Sequence, residues 1–186
     1  AGDLLPAENE TERARLLIAT GALALGPKGL TEFNPVQFAA DVDKAVSELA
    51  ATGPAKVVGA TCDVTRKTDV QALWDFAVAA FGRVDFWINN AGRATSRYEV
   101  HELPEEMVHT LVDGNFKGSV FGSQVATSGF RRQGSGALYN MLGGSFDGKR
   151  LTPNMGVYSA TKAADWLLTK YLVLENKNPA IIIGAI

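Results

Sequence analysis

With 186 residues, 46% of them apolar, and a formal net charge of −2, the chain is long enough to bury one sizeable core and has no basic field for nucleic acid or anionic lipid. Its longest apolar stretch, residues 16–25, is interrupted by Thr20 and Gly21 and is too short to span a bilayer; the acidic start resembles neither a signal nor a transit peptide. Cys62 is the single cysteine, which excludes an intrachain disulfide and suits a soluble, reducing compartment, and no Cys/His spacing suggests zinc or another metal.

From residue 40 onward helical and strand patterns alternate, which predicts a parallel sheet with helices on both faces. Val42, Ala45, Val46 and Leu49 give helical spacing over 41–51, stopped by Thr52-Gly53-Pro54. Residues 56–60 read as a short buried strand leading to the turn Cys62-Asp63-Val64-Thr65. Asp69 opens a second helix, with Val70, Leu73, Trp74 and Ala77 on one face and Gly82 as its stop; 84–88 is the next strand. A third helix begins near Pro104. A fourth, separate or continuous with it through a kink, runs from about Asp113 to Arg132 before Gly134. Residues 137–141 form a strand, 158–176 a long helix with an apolar stripe, and 180–186 a last strand.

Chemistry concentrates in four places. Tyr158 and Lys162, four residues apart, share one helix face, and a nearby ammonium in a partly desolvated cleft lowers a phenol toward useful acid/base behaviour. Ser145 follows Asn140-Met141-Leu142-Gly143-Gly144 at a strand exit, where doubly wound sheets place ligand-contacting groups. Asn89-Asn90-Ala91-Gly92 ends another strand with small and amide residues that permit close backbone approach. Asn115 lies in Asp113-Gly114-Asn115-Phe116. Taken singly, these read as a surface helix, a loop serine, a tight turn and a helical asparagine. His101 and His109 lack a partner motif and read as surface residues. Trp74, Phe76, Phe81, Phe86 and Trp87 read as core, Trp166 as a residue facing a subunit or a pigment, and Arg131-Arg132 as helix-end cations.

Together, Asn89 to Gly92, Asn115, Ser145 and Tyr158-x-x-x-Lys162 resemble the short-chain dehydrogenase/reductase family over residues 40–186, in the same order and at suitable intervals. The resemblance implies a Rossmann-type doubly wound fold and carbonyl–alcohol interconversion with NADPH or NADH. Tyr158 would be the proton donor, Ser145 the carbonyl-holding hydroxyl, and Lys162 the ribose-binding cation that lowers the tyrosine pKa. Asn115 would position a water joining Lys162 to a proton relay. Asp63 and Val64 would contact adenine, and Asn89, Asn90, Ala91 and Gly92 would flank the adenosine ribose. A narrower similarity, in Leu138-Tyr139-Asn140-Met141 and residues 152–158, is to chlorophyll b reductases and bacterial relatives, implying a formyl or keto group on a bulky hydrophobic molecule and, for that subgroup, a chloroplast. Pairing through the helices at 113–132 and 158–176 implies a homodimer or homotetramer.

The family's glycine-rich turn is out of register here. From Thr20-Gly21 the required glycines fall on Leu25 and Pro27, with Gly26 displaced; from Gly26 to Leu30 only Gly29 fits. Residues 29–39 are too few for a crossover helix and a strand, by roughly ten residues, so the first βαβ unit reads as incomplete, as does the part following Ile186. The expectation is one such domain over 1–186, with 1–15 an extension. The carboxylate or cation that selects NADH or NADPH at the second strand's end is not legible. The alternative function is a catalytically silent Rossmann-like subunit of a larger assembly.

Overall fold

Short apolar runs between turns form the strands. The computed structural model describes residues 16–17, 35–94, 98–144 and 146–186, in which β1 (Leu16–Leu17), β2 (Phe86–Asn89), β3 (Gly136–Asn140) and β4 (Ile181–Ala185) make one sheet in that order. All neighbours are parallel, so each connection must cross over the sheet. Helices supply the crossovers: α1 (Pro35–Ala50) and α2 (Lys67–Phe81) before β2, α3 (Glu105–Leu111) and α4 (Gly118–Gln133) before β3, and α5 (Gly156–Glu175) before β4. This is the expected doubly wound α/β arrangement, and a first strand at Leu16 is the placement that pairs with β2. The glycine turn containing Gly21, Gly26 and Gly29 lies outside the described residues.

Register sets the faces of the sheet. Trp87, Leu138 and Ile183 stand opposite one another on successive strands and join the core formed with α2 and α4. Phe86 and Ile182 point to the other face and are 45% and 57% exposed, so Phe86, like Phe76 on the outer side of α2, is not the core residue its pattern predicts. Trp74 of α2 fills the centre of the core, its ring centroid 5.8 Å from Trp87 and 5.3 Å, edge-on, from Phe130. The indole occupies the space where a Cβ at position 129 would stand, so α4 comes this close because residue 129 is glycine. Gly82 (φ 80°) and Gly134 (φ 92°) end α2 and α4 in the left-handed region, where glycine carries no Cβ penalty.

Two elements differ from expectation, and one open alternative, the continuity of the third and fourth helices, is resolved. Residues 56–60 form no ladder among the described residues; in a doubly wound sheet that strand pairs with the second strand, and none is described. The segment instead lies under α1, with Val42 and Val46 so close that a Cβ on Gly59 would come within 2.7 Å of each. The third and fourth helices are continuous, joined by a π-helical turn over Val112–Lys117 with Asn115 inside it. The buried residues of α5 are not an apolar stripe but Thr161, Lys162, Asp165 and Thr169, while Leu167, Tyr171 and Leu174 are exposed.

Because the Trp74 ring fills the position a side chain would need, Gly129→Ala is expected to destabilise the fold by about 1–3 kcal/mol through overpacking. Urea unfolding, with the midpoint lowered and the slope unchanged, checks this.

Candidate active site

The C-terminal ends of β2 and β3 each carry an asparagine, and both turn inward. Asn89 Oδ1 accepts from the Trp87 indole (2.8 Å), and its Nδ2 donates to Asn140 Oδ1 (2.7 Å) and Ser123 Oγ (3.1 Å). Asn140, fully buried, donates to Thr169 Oγ1 (2.8 Å), which donates to the Asp165 carbonyl (2.8 Å). These bonds tie two strand ends to α4 and α5 and meet the demand that buried polar groups be partnered. They also occupy the Asn89 side chain, and its backbone carbonyl accepts from Met141 N (3.0 Å).

Asn115 is fully buried. Its Oδ1 accepts from Arg93 N (2.7 Å), and its Nδ2 donates to Arg93 O (2.8 Å) and to Thr161 Oγ1 (3.1 Å). The amide therefore pins the segment after Gly92 to α5. A Cβ on Gly92 would stand 3.2 Å from Asn115 Oδ1 and 3.7 Å from Lys162 Nζ, so the sequence-predicted Gly92, Asn115 and Lys162 meet at one point. Asn90 is exposed and Ala91 half-buried beside it. Ile88 to Ala91, with Cys62, Val64 and Gly118, line a shallow open cleft.

Lys162 is almost wholly buried. Its Nζ donates to Met141 O (2.9 Å) and to Asp165 Oδ2 (3.2 Å), where the two side chains are 5% and 0% exposed. The Ser119 hydroxyl, which donates to the Asn115 carbonyl (2.8 Å), lies beside the Asp165 carboxylate, and Asp165 Oδ1 has no hydrogen-bond partner. Burial raises the Asp165 carboxyl to about 6, against the opposing pull of Lys162 and Ser119. The Tyr158 hydroxyl rests on Gly143, in the space of an absent Cβ. Its phenol is pushed up, by burial first and by the Asp165 charge second, so the lowering expected from Lys162 is overturned: the ammonium is directed to Met141 and Asp165.

Ser145 lies outside the described residues. Asp63 Oδ1 accepts from Thr65 N (2.9 Å) and Thr65 Oγ1 (2.7 Å), which holds the turn at the mouth of the cleft. Val64 packs on Gly118, where a Cβ would approach to 2.9 Å. Cys62 is buried, and burial with Asp69 and Asp63 nearby raises its thiol to about 11, so it is unreactive. His101 and His109 are exposed beside Glu99 and Glu105. Trp166 carries Lys170 over its ring at 3.5 Å and Phe146 at 5.8 Å. Among the described residues, no helix is long and apolar enough to cross a membrane.

Asp165, Asn140, Thr161 and Thr169 are the site residues that sequence reasoning missed. The signal was present: Tyr158, Thr161, Lys162, Asp165 and Thr169 follow helical spacing and form one polar stripe.

A parallel sheet whose carboxyl edge gathers Asn115, Tyr158 and Lys162 beside an open cleft defines a Rossmann-type α/β domain. The family model for short chain dehydrogenases matches residues 22–186, and the chain belongs to that family of oxidoreductases, which generally use NAD(P)(H) and act on small molecules. It is 38% identical over 108 residues to a probable chlorophyll(ide) b reductase, chloroplastic, of Arabidopsis thaliana, covering 58% of this chain and 22% of that one. It is 36% identical over 137 residues to a chloroplastic chlorophyll(ide) b reductase of Oryza sativa subsp. japonica (72% and 40%). With a 4-formylbenzenesulfonate dehydrogenase of Comamonas testosteroni it shares 31% over 131 residues (70% and 51%). The chain thus spans between about a fifth and a half of these relatives. A short chain dehydrogenase from Mycobacterium smegmatis superposes with a TM-score of 0.71 at 26% identity, over 77% of this chain and 59% of that one.

The folded-state pKa of Asp165, raised from 3.8 to about 6, means that this group favours the fold below its unfolded pKa and loses that contribution as pH rises through 6. Between pH 7 and pH 4 the wild type is therefore expected to gain stability relative to Asp165→Asn, by on the order of 2–3 kcal/mol. Paired urea titrations across that range measure the difference.

Proposed function

We propose that this protein interconverts a carbonyl and an alcohol with NADPH or NADH, Tyr158 acting as the proton donor to the carbonyl oxygen. The observation that carries the reading is the convergence of Gly92, Asn115 and Lys162 at the carboxyl edge of the sheet, with Tyr158 one helical turn from Lys162.

The residues suit a dinucleotide. The cleft between Val64, Ile88 and Gly118 is apolar-walled, as the face of a flat base requires, and a bare Gly92 permits the backbone approach a ribose needs. Asp63 and Val64 would hold the adenine, Asn90 to Gly92 and the Asn89 backbone the adenosine ribose, and Tyr158 with Lys162 the nicotinamide ribose. The reduced nicotinamide, when bound, supplies the hydride. The protein's part is to hold the carbonyl with the Ser145 hydroxyl, to deliver a proton from Tyr158 Oη, and to fix Lys162 and Asn115 for its replacement. The similarity to chlorophyll(ide) b reductases and to a formylbenzenesulfonate dehydrogenase favours a formyl group on a large hydrophobic or aromatic molecule. A homodimer or homotetramer through α4 and α5 goes with this reading, and a chloroplast location goes with the reductase similarity.

Tyr158→Phe keeps the ring and deletes the proton. It is expected to lower kcat by about 10²–10⁴-fold, the share of a positioned general acid, in an assay of reduced-cofactor oxidation with an aromatic aldehyde. Undiminished turnover, or failure of the wild type to bind either reduced cofactor, sinks the reading in favour of a silent subunit.

A further inference from the structure

We propose that Asp165 is a positioning residue for the Tyr158–Lys162 pair: its carboxylate holds the Lys162 ammonium inward and thereby sets how readily Tyr158 releases its proton. The proposal rests on the reading that Tyr158 and Lys162 do the chemistry.

Residues 158, 162 and 165 are spaced i, i+4 and i+7 and so lie along one face of α5. That face is turned into the protein, with Lys162 and Asp165 the buried charged residues on it. Lys162 Nζ is gripped by two acceptors, Asp165 Oδ2 at 3.2 Å and Met141 O at 2.9 Å. Without the carboxylate, the backbone carbonyl alone would hold a desolvated ammonium, and nothing would oppose its attraction to a phenolate one turn earlier on the helix.

The same carboxylate reaches Asn115. Ser119, whose hydroxyl lies beside the Asp165 carboxylate, donates its proton to the Asn115 carbonyl (2.8 Å), so Asp165, Lys162 and the π-helical turn are neighbours at one point. Asp165 Oδ1 is left without a partner in the interior. The Asp165 charge lies close enough to Tyr158 to disfavour the phenolate.

Among the described residues, Arg93 is the further charged group at this point: its backbone bonds Asn115 and its Nη1 is buried without a hydrogen-bond partner. From α4 the facing group is Ser119, from the π-helical turn Asn115, and from β3 Asn140 and the Met141 carbonyl. β4 carries no titratable side chain. Asp113 and Lys117, on the π-helical turn, pair with each other at 3.0 Å and are partly exposed. His109 and Glu105 on α3 pair in solvent.

The protein has four tyrosines, so Tyr158 is read by difference, as the ultraviolet phenolate absorbance of each protein minus that of its Tyr158→Phe counterpart. In Asp165→Asn the Tyr158 midpoint is expected at lower pH than in the wild type. A folded Asp165→Asn protein with an unmoved or higher midpoint overturns the proposal; that result, with only the melting temperature reduced, is what a purely structural carboxylate would give. If Asp165→Asn does not fold, the wild type decides alone. The Tyr158 ring-carbon resonance must then shift as Asp165 ionises near pH 6, and a flat trace from pH 5 to 7 overturns the proposal. Neither measurement needs cofactor or turnover, so an active Tyr158→Phe enzyme would refute the catalytic reading while leaving this test standing.

Discussion

A polar atom withdrawn from water must find a partner inside the protein, or the fold bears the full cost of its desolvation. At the carboxyl edge of this sheet that requirement organises everything else. The asparagines that end β2 and β3 sit where the strands run out of ladder partners, and they bond to each other, to Ser123 and to Thr169. The bonds draw α4 and α5 onto the sheet at one height, which is the height at which Asn115 and Lys162 meet Gly92. The site is thus a by-product of satisfying buried amides.

Close approach is the second ingredient, and it depends on missing side chains. Asn89 turns inward only because residue 122 of α4 has no Cβ, and the Tyr158 ring sits as it does because residue 143 has none. Had either carried even a methyl group, the helix would have to move away from the strand ends and the polar chain would stretch. Hydrogen bonding therefore fixes direction, and glycine fixes distance.

Most of the architecture was legible because it is written in local periods. The 3.6-residue pattern placed α2, α4 and α5 within a few residues, and Asn89 to Gly92 with Tyr158 and Lys162 could be set at strand and helix ends because their spacing is a property of one element. What could not be read belongs to pairings across long stretches of chain. Residues 56–60 have strand composition, but a strand exists only beside a partner. In α5, spacing identifies two candidate faces without saying which is buried, and hydrophobicity points to Leu167 and Tyr171 rather than to Lys162 and Asp165. The polar face wins because its partners, Asn115, Asn140 and Met141, come from 21 or more positions away in the chain.

The π-helical turn at Val112–Lys117 has a consequence for how the domain can vary. Such a turn takes up an extra residue, and one residue in an α-helix is about 100° of rotation. The azimuths of α3 and α4 are therefore uncoupled at Asn115. α4 stays keyed to the sheet through Trp74 and Asn89, while α3, with Leu111 beside Tyr98 and Val157, is free to change its outward face without turning α4 in its seat. Deleting one residue here would bring the two helices back into phase and swing Asn115 out of the interior. The turn acts as a joint between a half of the helix that can turn and a half that the sheet holds.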